Sequence, residues 1–362
     1  MLFLASLSVL ALPLGGCQDD DDETIIRKDN KEAEVVHRDA PAFVRGCDPS
    51  WVTEMEDAGW TFRDADGKEG DCLEILKGVG FEACRLRCWV NPSGGYCNTQ
   101  DVLAKALRAQ ALGYYIMINF HYSDGWADPG QQHKPSVWDD AASVEEMAGR
   151  LYNYTRNVLR TLYVNGIDVT WVQIGNESRV GMCTTNSDGS ATDVSGESPE
   201  DYVTLHAAGC KAVKEIYPQA KTILHFENAQ KEGNITYRLN KLVLSGIEFD
   251  ILGLSLYPYF TDDNWYENYI ENSITAMNNV SNKYGCDVML VELGCEIDNA
   301  NAAKALRDAV VRSEKEVSAC KGVFYWEPEA YDAGEGSWNG YGKGAFTASG
   351  SPSEELIAAF AK

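Results

Sequence analysis

The segment VTWVQIGNE, residues 169–177, joins a strand-like run to a polar cluster. Val169 to Ile174 are typical of a strand that is buried on both faces. Gly175, Asn176 and Glu177 follow immediately. Since turns at strand ends are commonly polar, a carboxylate at this position requires no functional explanation when the segment is considered alone.

Strand-like runs of this kind recur along the chain. They are short and rich in Val, Ile, Leu and aromatic residues, and they alternate with longer amphipathic segments. The eight predicted strands are 43–46, 83–90, 114–121, 169–174, 222–226, 251–256, 288–293 and 323–326. The eight predicted helices are 71–80, 99–113, 143–166, 198–218, 230–246, 266–285, 301–320 and 351–361. This alternation predicts a single (β/α)8 TIM barrel over residues 42–362. A doubly wound sheet is the alternative, but no Gly-rich phosphate loop follows any predicted strand.

The composition limits the possible partners. The chain has 362 residues and a formal net charge of −24. Nucleic acid is therefore not expected as a partner, because phosphate binding needs a basic face. The nine Trp and eighteen Tyr suit the flat faces of sugars, although core packing also accounts for many of them. No cofactor is expected.

Residues 1–17, MLFLASLSVLALPLGGC, form a short apolar run that ends in small residues and Cys17. The run is too short to span a bilayer and is typical of an export signal. Its end resembles a bacterial lipobox, and the following QDDDD resembles the surface-export signal of Bacteroides-type lipoproteins. We therefore expect a lipid on Cys17, an outer-membrane anchor and exposure at the cell surface. The alternative is a secreted protein with an acidic tail. Residues 18–41 are expected to form a flexible acidic tether.

Ten cysteines remain if Cys17 is lipidated. An even number in an exported protein fits disulfides, and the alternative is buried thiols. No CxxC pair or Cys/His cluster indicates zinc, so no metal site is expected.

Two carboxylates lie where the chemistry of such a barrel is located, at the carboxyl ends of the strands. Glu177 follows the fourth predicted strand and Glu292 ends the seventh, so the two face each other across the mouth. A retaining glycosidase needs two carboxyl groups about 5–5.5 Å apart, one as acid/base and one as nucleophile. Asn176 is placed to bond a sugar 2-hydroxyl. The alternative for a single Glu is an ion pair with Arg85 or Arg87, which share one face of the second strand.

Several motifs together resemble glycoside hydrolase family 53, the endo-β-1,4-galactanases that cut arabinogalactan and pectic galactan. They are RLRCWVNPSGG, INFHYSDGWADPGQQHKPSVW, VQIGNE, LSLYPY, VELG and GVFYWEPE. The most specific of them is HYSDGWADPGQQHKP, whereas GNE alone occurs across a wider clan of retaining barrel hydrolases. The resemblance extends from about Phe43 to the C-terminus.

The resemblance implies roles for individual residues. Glu177 corresponds to the acid/base, Glu292 to the nucleophile and Arg85 to the arginine that orients the nucleophile. Further implied site residues are Arg87, His121, Asn176 and Tyr257 as supporting groups, Trp326 as the aromatic floor under the sugar at the cleavage point, and Asp124, Trp126, Asp128 and Trp138 in a galactan-contacting loop. For the two aspartates, the alternative is hydrogen bonding within the loop. Glu227 matches no family position and is interpreted as part of the wall.

The chain also departs from the family pattern. The segment after Glu292 is too short for the Asp/Asn-rich calcium loop of some members, so no calcium of that type is expected. The long segment after Glu177 is expected to wall one side of the groove. The resemblance implies a retaining endo-β-1,4-galactanase that acts on galactan, and we expect it to be a monomer. The alternatives are an endo-glycanase of the same clan on mannan, cellulose or xylan, and a non-catalytic glycan-binding protein.

Overall fold

The computed structural model describes residues 35–258, 265–297, 300–334 and 336–361. Cys17 and residues 18–34 of the expected tether lie outside the described residues. The strands are β1 (Val44–Asp48), β2 (Phe62–Arg63), β3 (Glu69–Gly70), β4 (Ala83–Cys88), β5 (Tyr115–Phe120), β6 (Val169–Ile174), β7 (Lys221–Phe226), β8 (Ile251–Leu256), β9 (Asp287–Leu293) and β10 (Cys320–Trp326). The α-helices are α1 (Val52–Asp57), α2 (Cys72–Val79), α3 (Thr99–Ala111), α4 (Val144–Val164), α5 (Pro199–Ile216), α6 (Glu232–Leu244), α7 (Trp265–Tyr284), α8 (Ala300–Glu316) and α9 (Glu354–Phe360).

Eight of these strands close into a parallel barrel in the order β1-β10-β9-β8-β7-β6-β5-β4. The predicted (β/α)8 barrel is therefore confirmed. Each barrel strand overlaps one of the eight predicted runs, and each predicted helix is present. Local signals explain several helix starts. For example, Ser198 caps α5 by accepting from the backbone N–H of Asp201, and Pro199 occupies the first turn.

The lower half of the barrel interior is filled by apolar side chains, which include Met117, Trp171, Met289 and Phe324. Packing is tight here, since a Cβ placed on Gly46 would lie 2.2 Å from the Phe324 ring. A larger cluster fills the space between the barrel wall and the surrounding helices. The interior is therefore closed at the amino-terminal end, and its polar groups are concentrated at the carboxyl end.

The segment between β1 and α2 contains elements that the sequence did not predict. Helix α1 is only six residues long and buries Val52 and Met55. Strands β2 and β3 form a two-residue antiparallel pair outside the barrel. Elements this short span too few residues to produce a recognisable hydrophobic period.

Residues 35–41, the part of the expected tether that the structure describes, cross the amino-terminal face of the barrel. The carboxylate of Asp168, just before β6, accepts a hydrogen bond from the backbone N–H of Arg38 at 2.8 Å and contacts His37 Nδ1 at 3.0 Å. The Arg38 guanidinium donates to the carbonyl of Tyr114 at 2.6 Å, and Ala40 packs against the interior cluster. This stretch is thus bound to the barrel and closes its floor.

The ten cysteines from Cys47 to Cys320 are free thiols, and all but Cys210 and Cys286 are buried. For these ten residues the structure favours buried thiols over disulfides. In the described part of the chain, no helix is both long enough and apolar enough to cross a membrane.

Candidate active site

A cavity of about 780 Å³ opens at the carboxyl ends of the barrel strands. Nine of the residues singled out in the sequence line it: His121, Trp126, Asp128, Asn176, Glu177, Glu227, Tyr257, Glu292 and Trp326. Arg85 and Arg87 lie beneath it, fully buried on β4. The barrel thus brings together residues that are up to 205 positions apart in the chain.

Glu177 is presented to the cavity by an unusual turn after β6. Gly175 and Glu177 both have left-handed backbone conformations, with φ of 83° and 43°. For a non-glycine residue this conformation is strained, and such strain is concentrated at functional sites. The backbone N–H of Glu177 donates to His225 Nδ1 at 3.1 Å, which holds the turn.

Burial raises the pKa of Glu177 well above its ordinary value. The negative charge of Glu292 adds to this effect, whereas a hydrogen bond with Ser255 opposes it. A carboxyl group in this environment keeps its proton at a pH where an exposed glutamate has lost it. Glu177 therefore has the properties of a proton donor.

Glu292 ends β9 and is bound on both oxygens. Oε1 accepts from Arg85 Nη2 at 2.8 Å, and Oε2 accepts from the Tyr257 hydroxyl at 2.9 Å. Burial raises the pKa of Glu292 too, but the Arg85 charge and the Tyr257 hydrogen bond act against it. Within the pair, the proton therefore resides on Glu177 and the negative charge on Glu292.

Arg85 connects Glu292 to the rest of the site. Its Nη1 donates to Asp48 Oδ2 at 2.6 Å, its Nη2 to Asn176 Oδ1 at 2.9 Å and its Nε to Gln173 Oε1 at 3.1 Å. A fully buried guanidinium is tolerated only when its charge and its donors are satisfied, as they are here. The network fixes the position of Glu292 and of the Asn176 amide.

Two histidines next to this network are neutral. Burial, followed by the charges of nearby arginines, lowers the pKa of His121 and of His225 well below the ordinary range. His121 Nδ1 accepts from the backbone N–H of Ala127 at 3.2 Å. Because His225 Nδ1 accepts from Glu177, its Nε2 carries the proton and donates to Ser255 Oγ at 2.8 Å. Both rings therefore act as uncharged supports.

An aromatic wall occupies one side of the cavity. It consists of Trp51, Trp89, Trp126, Trp326 and Tyr341, whose rings contact one another edge to face at centroid distances from 4.7 to 5.8 Å. The guanidinium carbon of Arg87 lies 4.4 Å from the Trp126 ring centroid and 4.9 Å from that of Trp89. Arg87 also pairs with buried Glu327 at 2.6 Å. Such a wall can pack against the apolar face of a pyranose.

Asp124, Asp128 and Trp138, in the loop after β5, were all predicted to contact galactan, and the structure places them differently. Trp138 is buried, does not line the cavity and packs against Tyr122 and Tyr154, so the prediction that it contacts galactan is corrected. Asp124 does not line the cavity, because its oxygens accept from the backbone N–H groups of Asn91 and Ser136. Asp128 lines the cavity but also accepts from the Gly130 N–H within its own turn.

Among the polar residues of the site that sequence reasoning missed are Asp48, Gln173, His225 and Glu327. All four are buried and bonded to residues that were identified. Asp48 ends β1, so inspection of every strand end would have found it. Glu327 has a left-handed backbone, with φ of 49°, that no sequence signal indicated.

No group of three or more His, Cys, Asp or Glu side chains in the described ranges is arranged to hold a metal ion. Glu177 and Glu292 give the site one carboxyl group able to donate a proton and another able to act as an anion.

Comparisons with known proteins agree with this geometry. The model of glycosyl hydrolase family 53 matches residues 44–356. The endo-β-1,4-galactanase of Bacillus subtilis is 29% identical, over 87% of this chain and 77% of that protein. The probable arabinogalactan endo-β-1,4-galactanase A of Aspergillus fumigatus is 30% identical, over 80% of this chain and 85% of that protein. A fungal β-1,4-galactanase structure superposes with a TM-score of 0.75 at 27% identity, covering 88% of this chain and 98% of that one.

Proposed function

Because this chain belongs to glycosyl hydrolase family 53, we propose that it is a retaining endo-β-1,4-galactanase. It is a glycoside hydrolase. The observation that carries the proposal is the pairing of Glu177 and Glu292 in one cavity, where the environment of each carboxyl group favours a different protonation state. Two carboxyl groups whose environments push their pKa values apart are the means by which one site supplies both an acid and a nucleophile.

The first step uses both groups. The Glu292 carboxylate attacks the anomeric carbon of the sugar, and Glu177 donates its proton to the bridging oxygen as the bond to the leaving sugar breaks. Arg85 and Tyr257 orient Glu292 for this attack. The product of this step is a glycosyl ester on Glu292 and a free leaving sugar.

The second step reverses the roles. Glu177, now ionised, removes a proton from water, and the resulting hydroxide attacks the anomeric carbon and releases Glu292. The configuration at this carbon is inverted twice and therefore retained. The aromatic wall and Asn176 hold the sugar while the ester exists.

The substrate assignment is supported by the relatives, whose names describe them as endo-β-1,4-galactanases or probable arabinogalactan endo-β-1,4-galactanases. We propose a monomer that cuts β-1,4-galactan internally. The cavity opens at the carboxyl ends of the barrel strands, where a polymer can reach Glu177 and Glu292. We also propose that the lipobox-like Cys17 and the acidic segment after it anchor the protein in an outer membrane with its catalytic domain at the cell surface.

The test is to incubate the wild-type protein with linear β-1,4-galactan, mannan, cellulose and xylan, and to follow reducing ends and product sizes over time. We expect galactan to be cut fastest, with mid-length products first. Preference for another polymer would overturn the substrate assignment, and binding of galactan without product would overturn the enzymatic one. Dimer alone from the first minutes would overturn internal cutting.

Nuclear magnetic resonance of the first products tests retention. We expect the β-anomer of the new reducing end to appear before mutarotation. The initial appearance of the α-anomer would establish inversion instead. Radiolabelled palmitate incorporation into the wild type, compared with Cys17→Ala, tests the lipid anchor, and equal labelling would contradict it.

A further inference from the structure

Glu227 is a further carboxylate of the cavity, and the two-glutamate mechanism does not use it. It follows the last residue of β7, the strand that pairs with the one carrying Glu177. It lines the same cavity as Glu177 and Glu292, and it is only 4% exposed. A residue this buried at the mouth of the barrel needs a structural or functional reason.

Only half of the Glu227 carboxylate has a structural partner. Oε1 accepts from Arg179 at 2.5 Å, and Arg179 is two residues after Glu177. Oε2 is buried and has no hydrogen-bond partner among the described residues. An unsatisfied buried carboxylate oxygen is unfavourable, so its position on a residue that lines the cavity points to a donor supplied by a ligand.

The position of Glu227 identifies that donor. The aromatic wall comes from β10 and from the segments after β1, β4 and β5, which are consecutive around the barrel. Glu227 and its neighbour Asn228 lie on the other side of Glu177, after β7. A glycan that rests one sugar on the wall with its bridging oxygen at Glu177 therefore extends its next sugar towards Glu227.

We propose that Glu227 is a specificity-determining residue for the leaving sugar, whose hydroxyl donates to Oε2 while Arg179 holds the carboxylate in place. The inference rests on the proposed hydrolysis of a β-linked polymer. The ligand is defined by its chemistry as a pyranose that presents a hydroxyl group to a fixed anion. Asn228, with a left-handed φ of 62°, turns the chain so that both residues border the cavity.

The variant Glu227→Gln tests the proposal with little change of shape. The amide oxygen still accepts from Arg179, whereas Oε2 is replaced by an NH₂ group that cannot accept a hydrogen bond. Two substrates are compared: linear β-1,4-galactan, and 4-nitrophenyl β-galactobioside, whose leaving group has no sugar hydroxyl. We expect kcat/KM on galactan to fall by about 10- to 100-fold, the range for a hydrogen bond to a charged group. The loss on the aryl substrate should be at least about tenfold smaller.

The assays belong at the acidic end of the activity plateau, because the charge of Glu227, after burial and Glu292, also raises the pKa of Glu177. The matched control is Glu248→Gln, which removes the same charge from an exposed residue before β8. This control should change neither the ratio of kcat/KM on galactan to kcat/KM on the aryl substrate nor the melting temperature.

Two results would overturn the inference. An equal loss on both substrates would show that Glu227 only supports the site, and an unchanged rate on galactan would show that the carboxylate is not used. If the wild type prefers another β-glycan, the proposed galactan substrate is wrong. The effect of Glu227→Gln on kcat/KM, compared between that polymer and its aryl glycoside, then still decides the role of Glu227.

Discussion

The replacement Arg85→Met removes the cation that keeps Glu292 ionised. Arg85 is fully buried and pairs with Glu292 at 2.8 Å and with Asp48 at 2.6 Å. An arginine this close lowers a carboxyl pKa by about 1–3 units. Because a nucleophile must be ionised, the acidic limb of the pH profile of kcat/KM should move to higher pH by about that amount.

The same replacement should destabilise the fold. Removal of one partner from a buried ion pair costs about 3–5 kcal/mol, because the remaining charge is left buried and unpaired. A barrel of about 320 residues unfolds with an entropy of about 0.7 kcal/mol/K, from roughly 2.1 cal/mol/K per residue. We therefore expect the melting temperature to fall by about 4–7 °C.

The assay combines pH profiles on an aryl galactobioside with thermal unfolding followed by circular dichroism. The control is Arg150→Met, whose ion pairs with Asp140 and Glu146 are at the surface. Exposed pairs contribute about 1 kcal/mol or less, so this control should keep both the limb and the melting temperature nearly unchanged. Adding Asp48→Asn to Arg85→Met should recover part of the stability, and because the charge of Asp48 raises the pKa of Glu292 it should also move the acidic limb part of the way back.

A folded Arg85→Met protein with an unmoved acidic limb would refute this reasoning, because it would show that Glu292 remains ionised without Arg85. Loss of stability alone would leave Arg85 as a structural residue only.

Four further outcomes are expected. Glu177→Gln should lower kcat on galactan by about 10²- to 10⁴-fold. On an aryl substrate, whose leaving group needs no proton, kcat should fall far less. Similar losses of kcat on both substrates would contradict the role of Glu177 as acid. Because burial and then Glu292 raise the pKa of Glu177, the alkaline limb of wild-type kcat/KM should lie well above pH 4.5, and a limb near 4.5 would contradict this. Trp126→Ala should raise KM and cost less stability than Trp138→Ala, which should cost about 3–5 kcal/mol and leave KM unchanged; the reverse pattern would contradict the two placements. A thiol reagent added to the native protein should modify Cys210 and Cys286 and reach the eight buried thiols only after unfolding; if the ten failed to react even then, they would be disulfide-bonded.

The fold was predictable because each barrel strand is buried on both faces and is separated from the next by an amphipathic helix. Glu177 and Glu292 were predictable because residues at the carboxyl ends of the strands lie at one face of the barrel, and this does not depend on the conformation of the loops. The six-residue helix α1 and the two-residue strands β2 and β3 were missed, because their stability comes from packing on the barrel rather than from a local period.

The loops were less predictable than the strands. Trp126 and Trp138 are twelve residues apart in one loop, yet one lines the cavity and the other is buried in the core. The sequence contains no signal for the direction of a side chain on an irregular backbone. Contacts between loops, such as that of Arg179 with Glu227, depend on two such directions at once and appear only in three dimensions.

Because residues 35–41 are bound across the floor of the barrel, they fix the face at which the chain enters the catalytic domain. The chain enters the barrel at the face where Asp168 binds Arg38, and the cavity opens at the opposite face. A support attached directly at Val35 lies on the amino-terminal side of the barrel, opposite the cavity. The catalytic mouth then points outward, and a glycan much larger than the protein can be cut without passing between the protein and its support.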